Sequence, residues 1–234
     1  MRYKISDLTV QVPAAGGMAS RCSEYICDEE TADIIISEDE YRIDNWPTLS
    51  EEDAIYLESG FQFYRKLLAF DGMMLHASAV ELDGKAFLFS GPCGVGKSTH
   101  TKRWEQIHGN DATIINDDKP ALRRFNEGWY AYGTPWCGKD GINVNKKVKL
   151  GGICFLKQGD ENSIRRVDGI EALRMIMSQT ASRFKDSEGL DLKLRLVEQL
   201  IQEIPIYELT NKPEEAAAIL SYETMKKGAE EAGL

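Results

Sequence analysis

The 234-residue sequence predicts an α/β fold built on a mixed sheet and preceded by a short β-rich stretch. Three observations predict it. Short runs of β-branched and aromatic residues recur between helical patterns, and several of these runs are joined by hairpin turns rather than crossover helices. A glycine-rich loop also stands between a strand-like run and a helix. A chain of this length buries a core without disulfide or metal staples. It fits one domain or slightly more, with residues 1–50 as a β-rich segment packed on a core formed by residues 51–234.

TVQV (9–12) and ADIIIS (32–37) read as strands, interrupted at residues 13–17 and 38–40. From residue 51 to 70 the period changes to a helical one. Ile55, Phe61, Phe63, Tyr64, Leu67 and Leu68 share a face, and Glu51, Glu52 and Asp53 fill the first turn, where the helix dipole favours acids. Asp71-Gly72 ends that helix. MMLHASAVEL (73–82) and KAFLFS (85–90) flank Asp83-Gly84, a strong hairpin signal. A helix follows from Lys97 to His108, then a buried strand, ATII (112–115). Residues 119–124 and 129–132 read as a hairpin turning at Asn126-Glu127-Gly128. Gly151 to Leu156 is an apolar strand, Ile170–Thr180 and Leu190–Gln202 are helices, and IPIYEL (204–209) is a last strand. Lys212-Pro213 opens a terminal helix, with Pro in the first turn.

The net charge of −10 and 42% hydrophobic residues exclude a general nucleic-acid or anionic-membrane binder. No apolar run approaches a membrane span of about 20 residues. The start lacks the apolar region of a signal peptide, and the five cysteines contain no C-x-x-C. The expectation is a cytoplasmic protein with thiols rather than disulfides. Its expected partners are small or peptidic, with self-association into a homo-oligomer left open.

Gly91-Pro92-Cys93-Gly94-Val95-Gly96-Lys97-Ser98 satisfies G-x-x-x-x-G-K-[ST]. At background residue frequencies, a chain this long contains such a match by chance roughly once in a hundred cases. The loop follows a strand run and opens a helix, as phosphate binding requires. Glycines let backbone N–H groups wrap an anion, and the helix N-terminus adds favourable potential. Lys97 is placed to reach the β- and γ-phosphates of ATP, and Ser98, with Thr99 beside it, to hold Mg²⁺. Ile114-Ile115-Asn116-Asp117-Asp118 then ends an apolar strand in two acids, where a Walker B carboxylate sits. Successive strand residues face opposite ways, so both aspartates line one wall only if the strand ends or bends there.

Other residues admit two readings. His76, on the strand that pairs back onto the loop strand, is either structural or catalytic. Gly133 to Lys139, with Trp136 and Lys139, is either a surface turn or a loop that closes over nucleotide or acceptor. Cys93 is either inert or a thiol sensitised by the helix terminus. Arg165-Arg166 reads as a solvated face.

His76-Ala77-Ser78-Ala79-Val80, the Asp83-Gly84 turn, GPCGVGKST and Asp117-Asp118 together resemble the HPr kinase/phosphorylase-like P-loop kinases, relatives of phosphoenolpyruvate carboxykinase. The likeness runs over about residues 60–220, and PIYEL (205–209) adds to it. It implies a phosphate loop set among strands of a mixed sheet, with ATP and Mg²⁺ bound there and the γ-phosphoryl passed to a hydroxyl. His76 matches the family's histidine before the loop, Asp117 and Asp118 its two aspartates, and Lys139 a basic position in a later loop. The separate N-terminal domain and C-terminal phosphorolysis loop of the bifunctional enzyme have no counterpart in these residues. Neither does an oxaloacetate-binding arginine cluster. Small relatives act on serine in peptides of neighbouring biosynthetic systems, an analogy at the level of fold.

The expected activity is that of an ATP- and Mg²⁺-dependent kinase acting on a Ser/Thr-type hydroxyl of a peptide, protein or small molecule. Lys97 and the loop amides neutralise charge in this reading, Mg²⁺ sits between Ser98 and Asp118, and Asp117 takes the hydroxyl proton with help from His76. The two aspartate roles are exchangeable at this stage. The alternatives are a nucleotide-sensing module and an NTPase without a phosphoryl acceptor.

Overall fold

The computed structural model describes residues 1–13, 21–180 and 187–234; the interruption expected at residues 14–17 lies outside these. β1 (Arg2–Ile5), β2 (Leu8–Gln11) and β3 (Ile34–Ile35) form a small sheet. The run at residues 32–37 therefore contributes only two ladder residues. α1 (Glu51–Leu67) is capped by the Ser50 side chain, which accepts from Asp53 N–H at 3.1 Å.

Nine strands build the main sheet: β4 (Gly72–Met74), β5 (Ala77–Leu82), β6 (Lys85–Ser90), β7 (Thr113–Asp118), β8 (Ala121–Phe125), β9 (Gly128–Tyr132), β10 (Lys147–Gln158), β11 (Ser163–Val167) and β12 (Ile206–Asn211). The main path runs β4-β8-β9-β10-β6-β5-β7, and β12 joins the C-terminal half of β10 and carries β11. β10 is parallel to β6 and β12, whereas the hairpin pairs are antiparallel. The sheet is mixed, as expected. Asp83 (φ 54°) and Gly84 (φ 73°) make the two-residue turn with both positive φ values that joins β5 to β6.

Three expectations need correction. The run 73–82 is not one strand: it breaks at Leu75-His76, because β4 pairs with β8 while β5 pairs with β6 and β7. Gly128 is no turn residue, since it already pairs with Phe125. Pro213 precedes the terminal helix instead of opening it, as Glu214 is the N-cap. β11, which carries Arg165 and Arg166, went unread.

The helices α2 (Lys97–His108), α3 (Gly169–Ser178), α4 (Ser187–Glu203) and α5 (Glu215–Glu231) cover both faces of the sheet. Leu88, Ile153 and Ile206 pack with Ile176, Leu196 and Leu200 of α3 and α4. Their strand neighbours Phe87, Phe89, Cys154 and Leu156 pack with Trp104 of α2 and Met225 of α5. Burial on both faces explains why β6 and β10 read as unbroken apolar runs. Among the described residues, no helix is long and apolar enough to cross a membrane.

A third cluster joins the small sheet to α1. Tyr25, Phe63, Tyr64 and Trp136 are buried together, with Phe63 stacked on Trp136 at 4.7 Å and the indole N–H donated to Ser59 Oγ at 3.1 Å. Trp136 is fully buried, so Trp136→Ala should destabilise the fold by about 3–5 kcal/mol. Urea unfolding checks this. A loss under 1 kcal/mol would show that the loop does not depend on its indole.

The sheet curls until its ends meet. β4 and β7 end the main path, yet β4 runs into β5 through Leu75-His76, and β7 runs into β8 through Lys119-Pro120. The two links cross the same seam, where Leu75 N–H reaches the Pro120 carbonyl at 3.5 Å.

Candidate active site

The seam lies beside the phosphate loop. β6 delivers the chain to Gly91 at the C-terminal ends of the parallel strands, the usual ligand edge of such sheets. Gly91, Gly94 and Gly96 take φ values of 140°, 79° and 109°, which side-chain-bearing residues avoid. A Cβ at Gly94 or Gly96 would meet nothing within 4 Å, so the rim faces open space. Pro92 and Cys93 are exposed, and Val95 packs against Gly91. No side chain caps the first turn of α2, leaving its N–H groups as an anion cradle.

Lys97 is buried and donates to the carbonyls of Gly91 (3.1 Å) and Pro92 (3.2 Å). Burial draws its ammonium pKa down, and the charges of Asp118, then Cys93 and Asp117, oppose that shift. The Ser98 hydroxyl makes no hydrogen bond among the described residues, and Thr99 is exposed.

Both aspartates belong to β7, whose bend resolves the question of their faces. Asp118 has φ 137°, a strained value for a residue with a side chain, of the kind that persists where surroundings over-determine it. Asp118 Oδ1 lies 3.0 Å from His76 Nε2, and Oδ2 accepts from Lys119 Nζ. Burial opposes its charge, but the His76 hydrogen bond and the Lys119 charge prevail and hold its carboxyl at about 2. Asp117 is buried, and its carboxylate accepts no hydrogen bond among the described residues. His76 is therefore paired with Asp118, not with Asp117. Because the strand breaks at Leu75-His76, the ring is carried across the seam to the bent end of β7.

The loop from Gly133 to Lys139 is a surface turn only at its end, where Gly141 N–H closes on the Gly138 carbonyl at 3.1 Å; Thr134, Trp136 and Cys137 are buried. Gly133 is packed so closely that a Cβ would lie 1.8 Å from the Val144 carbonyl oxygen and 2.6 Å from that of Ile115 in β7. Gly138 N–H donates to the Asp117 carbonyl. Lys139 is exposed and makes no bond or ion pair among the described residues. Its neighbour Asp140 pairs with Lys102 of α2 at 2.7 Å.

Several supporting residues escaped the sequence reading. Asn116, fully buried, donates to the Thr134 carbonyl at 2.9 Å and accepts from Lys119 N–H at 2.8 Å, pinning the bend. Tyr64 of α1 donates to the Lys119 carbonyl, and its hydroxyl also meets Thr134 Oγ1 at 2.9 Å. Gln179 holds His76, with Oε1 3.0 Å from Nδ1. Lys119 was visible as a cation after two acids; the others act over long sequence separations and left no local signal.

The donor set has the right chemistry for Mg²⁺, a hard cation bound by one or two protein oxygens and completed by phosphate. Ser98 and Asp117 offer uncommitted oxygens, and both Asp118 oxygens are engaged. Among the described residues, no group of three or more His, Cys, Asp or Glu forms a cage that binds metal alone.

The model of the SynChlorMet cassette protein ScmC family matches residues 55–212, more than half of the chain. The chain belongs to the ScmC family. No curated protein matches it. Among solved structures, the Hpr(Ser) kinase/phosphatase from Coxiella burnetii is similar over 68% of this chain and 96% of its own, at 12% identity and a TM-score of 0.38. The ScmC match leaves out residues 1–54, so Ser59, Phe63 and Tyr64 fall inside it while the small sheet falls outside.

Proposed function

We propose that this ScmC-family chain is an ATP- and Mg²⁺-dependent kinase that transfers the γ-phosphoryl group to a Ser/Thr-type hydroxyl of a peptide, protein or small molecule. One observation carries the reading: a buried loop lysine and two carboxylates of different commitment, one free and one held by a histidine, meet at a single seam. Lys97 and the loop amides bind the phosphates and offset the charge that develops in transfer. Ser98 and Asp117 would hold Mg²⁺, which supplies further neutralisation of phosphate oxygens when bound.

Asp118 orients the acceptor hydroxyl and takes its proton. A carboxyl held near 2 stays ionised at working pH and accepts that proton only as the oxygen attacks phosphorus. The pairing with His76 favours the exchanged assignment of the two aspartates, which the sequence left open. Lys139, exposed and uncommitted, is kept as a cation for phosphate or acceptor.

Mg-ATP should stabilise the fold against heat. Ligand at 100 times its dissociation constant adds about 2.7 kcal/mol. Thermal melts with and without Mg-ATP test this, and no shift at millimolar nucleotide would sink the phosphate-loop reading. Phosphate released only to water, across a broad set of hydroxyl acceptors, would favour an NTPase.

A further inference from the structure

We infer that the cavity enclosed by α1, β4 and α4 is the acceptor site, and that it takes a seryl or threonyl peptide with an apolar side chain beside the hydroxyl. Transfer at this site rests on the kinase reading; occupancy by the peptide does not.

The cavity measures about 560 Å³, within the usual range for organic ligands. Phe61 of α1, Leu68 just beyond it, Met73 and Met74 of β4, and Leu192 of α4 give it an apolar wall. Two adjacent methionines make that wall adaptable in shape, suited to more than one apolar side chain. The charges of the lining balance, with Arg42, Arg65 and Lys193 set against Glu40, Glu58 and Glu188. Several are already committed: Arg65 pairs with Glu40 at 2.5 Å, and Glu58 accepts from the Trp46 indole at 2.7 Å. Such a lining gives no net attraction to a nucleotide or a sugar phosphate, and favours an uncharged chain with an apolar group.

Position assigns the occupant. Tyr64 and Met74 line both the cavity and a small cleft with Lys119, whose ammonium donates to Asp118 Oδ2. Thr180 also lines the cavity, and it follows Gln179, whose carbonyl accepts from His76 N–H at 2.8 Å. His76 in turn meets Asp118 Oδ1 at 3.0 Å. Both oxygens of the carboxylate assigned to the hydroxyl proton are thus joined by short contact chains to the cavity wall.

The phosphate loop lies toward the other face of the sheet. α2 packs against the side that carries Phe87 and Phe89, whereas α4 packs against the side that carries Leu88. Nucleotide and acceptor would therefore approach the seam from opposite faces, the arrangement that an in-line transfer needs.

Trp46 reports on the cavity directly, since its ring stacks on Phe61 at 5.9 Å and its N–H is donated to Glu58. Short seryl and threonyl peptides carrying Leu, Met or Phe next to the hydroxyl residue, added without nucleotide, should change Trp46 fluorescence saturably. Trp46→Phe should abolish the change and so separate it from the signals of Trp104, Trp129 and Trp136, which are fully buried. With Mg-ATP, the same peptides should exceed their glycine counterparts in kcat/KM by roughly tenfold to a hundredfold, the yield of burying one such side chain. Leu192→Trp, which fills the cavity from α4, should raise the acceptor KM roughly tenfold or more. Ile219→Trp, at an exposed position of α5, should leave that KM unchanged.

Equal kcat/KM for apolar and glycine peptides overturns the inference, and so does an unchanged acceptor KM in folded Leu192→Trp. The peptide comparison needs no variant, so it decides the question if Leu192→Trp fails to fold. A Trp46 signal that follows protein concentration and not peptide would assign the cavity to a second copy of the chain, which also overturns it. If Mg-ATP gives no melt shift, or no peptide is phosphorylated, the kinase reading falls. The Trp46 titration then decides by itself whether the cavity takes the peptide, and a flat titration overturns the assignment.

Discussion

Asp118→Asn should lower phosphoryl transfer by roughly 10² to 10⁴ while nucleotide binding survives, the usual effect of losing a group that takes a proton in the transition state. The substitution keeps the shape and removes the basic charge. Asp117→Asn should behave differently. The free carboxylate of Asp117 is assigned to the metal side, so its loss should raise the Mg²⁺ concentration needed for activity. Nucleotide binding and transfer onto pooled seryl and threonyl peptides, measured across a magnesium series, separate the two. The reverse pattern would restore the assignment expected from sequence, with Asp118 on the metal. Full transfer in both variants would remove the kinase mechanism and leave a nucleotide sensor.

Lys97→Ala should abolish transfer and weaken nucleotide binding together. In the proposed reaction Lys97 would touch phosphate in the ground state as well as the transition state, and charge-assisted hydrogen bonds contribute about 1.5–3 kcal/mol. That corresponds to a roughly tenfold to hundredfold loss of ATP affinity. The ammonium is already oriented by the Gly91 and Pro92 carbonyls, so binding does not have to order a free side chain. Isothermal titration of Mg-ATP into the folded variant gives the result. Unchanged affinity would mean that Lys97 does not face the phosphates.

The parts legible in sequence are those built locally. The helix from Lys97 to His108 lies where the sequence reading placed it, because a glycine pattern and a helix start sit next to each other in the chain. The Asp83-Gly84 turn was equally plain, since both φ values are set by two residues. The bend at Asp118 was posed as a condition and could not be settled, because it depends on Asn116 bonding to Thr134 and to Lys119 N–H. The break at Leu75-His76 was invisible: nothing in MMLHASAVEL says that its two halves pair with opposite ends of a curled sheet. Trp136 was misread for the same reason, as its partners Ser59 and Phe63 lie over 70 residues earlier.

The seam has a bearing on the order in which the protein becomes competent. The phosphate loop, its helix and β7 come from one contiguous stretch, residues 77–118, joined by a tight hairpin and neighbouring strands. Contacts of that kind close quickly, because little chain entropy is lost in forming them. The groups that place the chemistry arrive from far away: Tyr64 reaches Lys119 across 55 residues, Tyr56 reaches Cys137 across 81, and Gln179 reaches His76 across 103. On the proposed function, short-range order would build the grip on nucleotide and long-range order the means to act on it. Curling the sheet shut is the step that joins the two, so a chain that has not completed its topology lacks a placed His76–Asp118 pair.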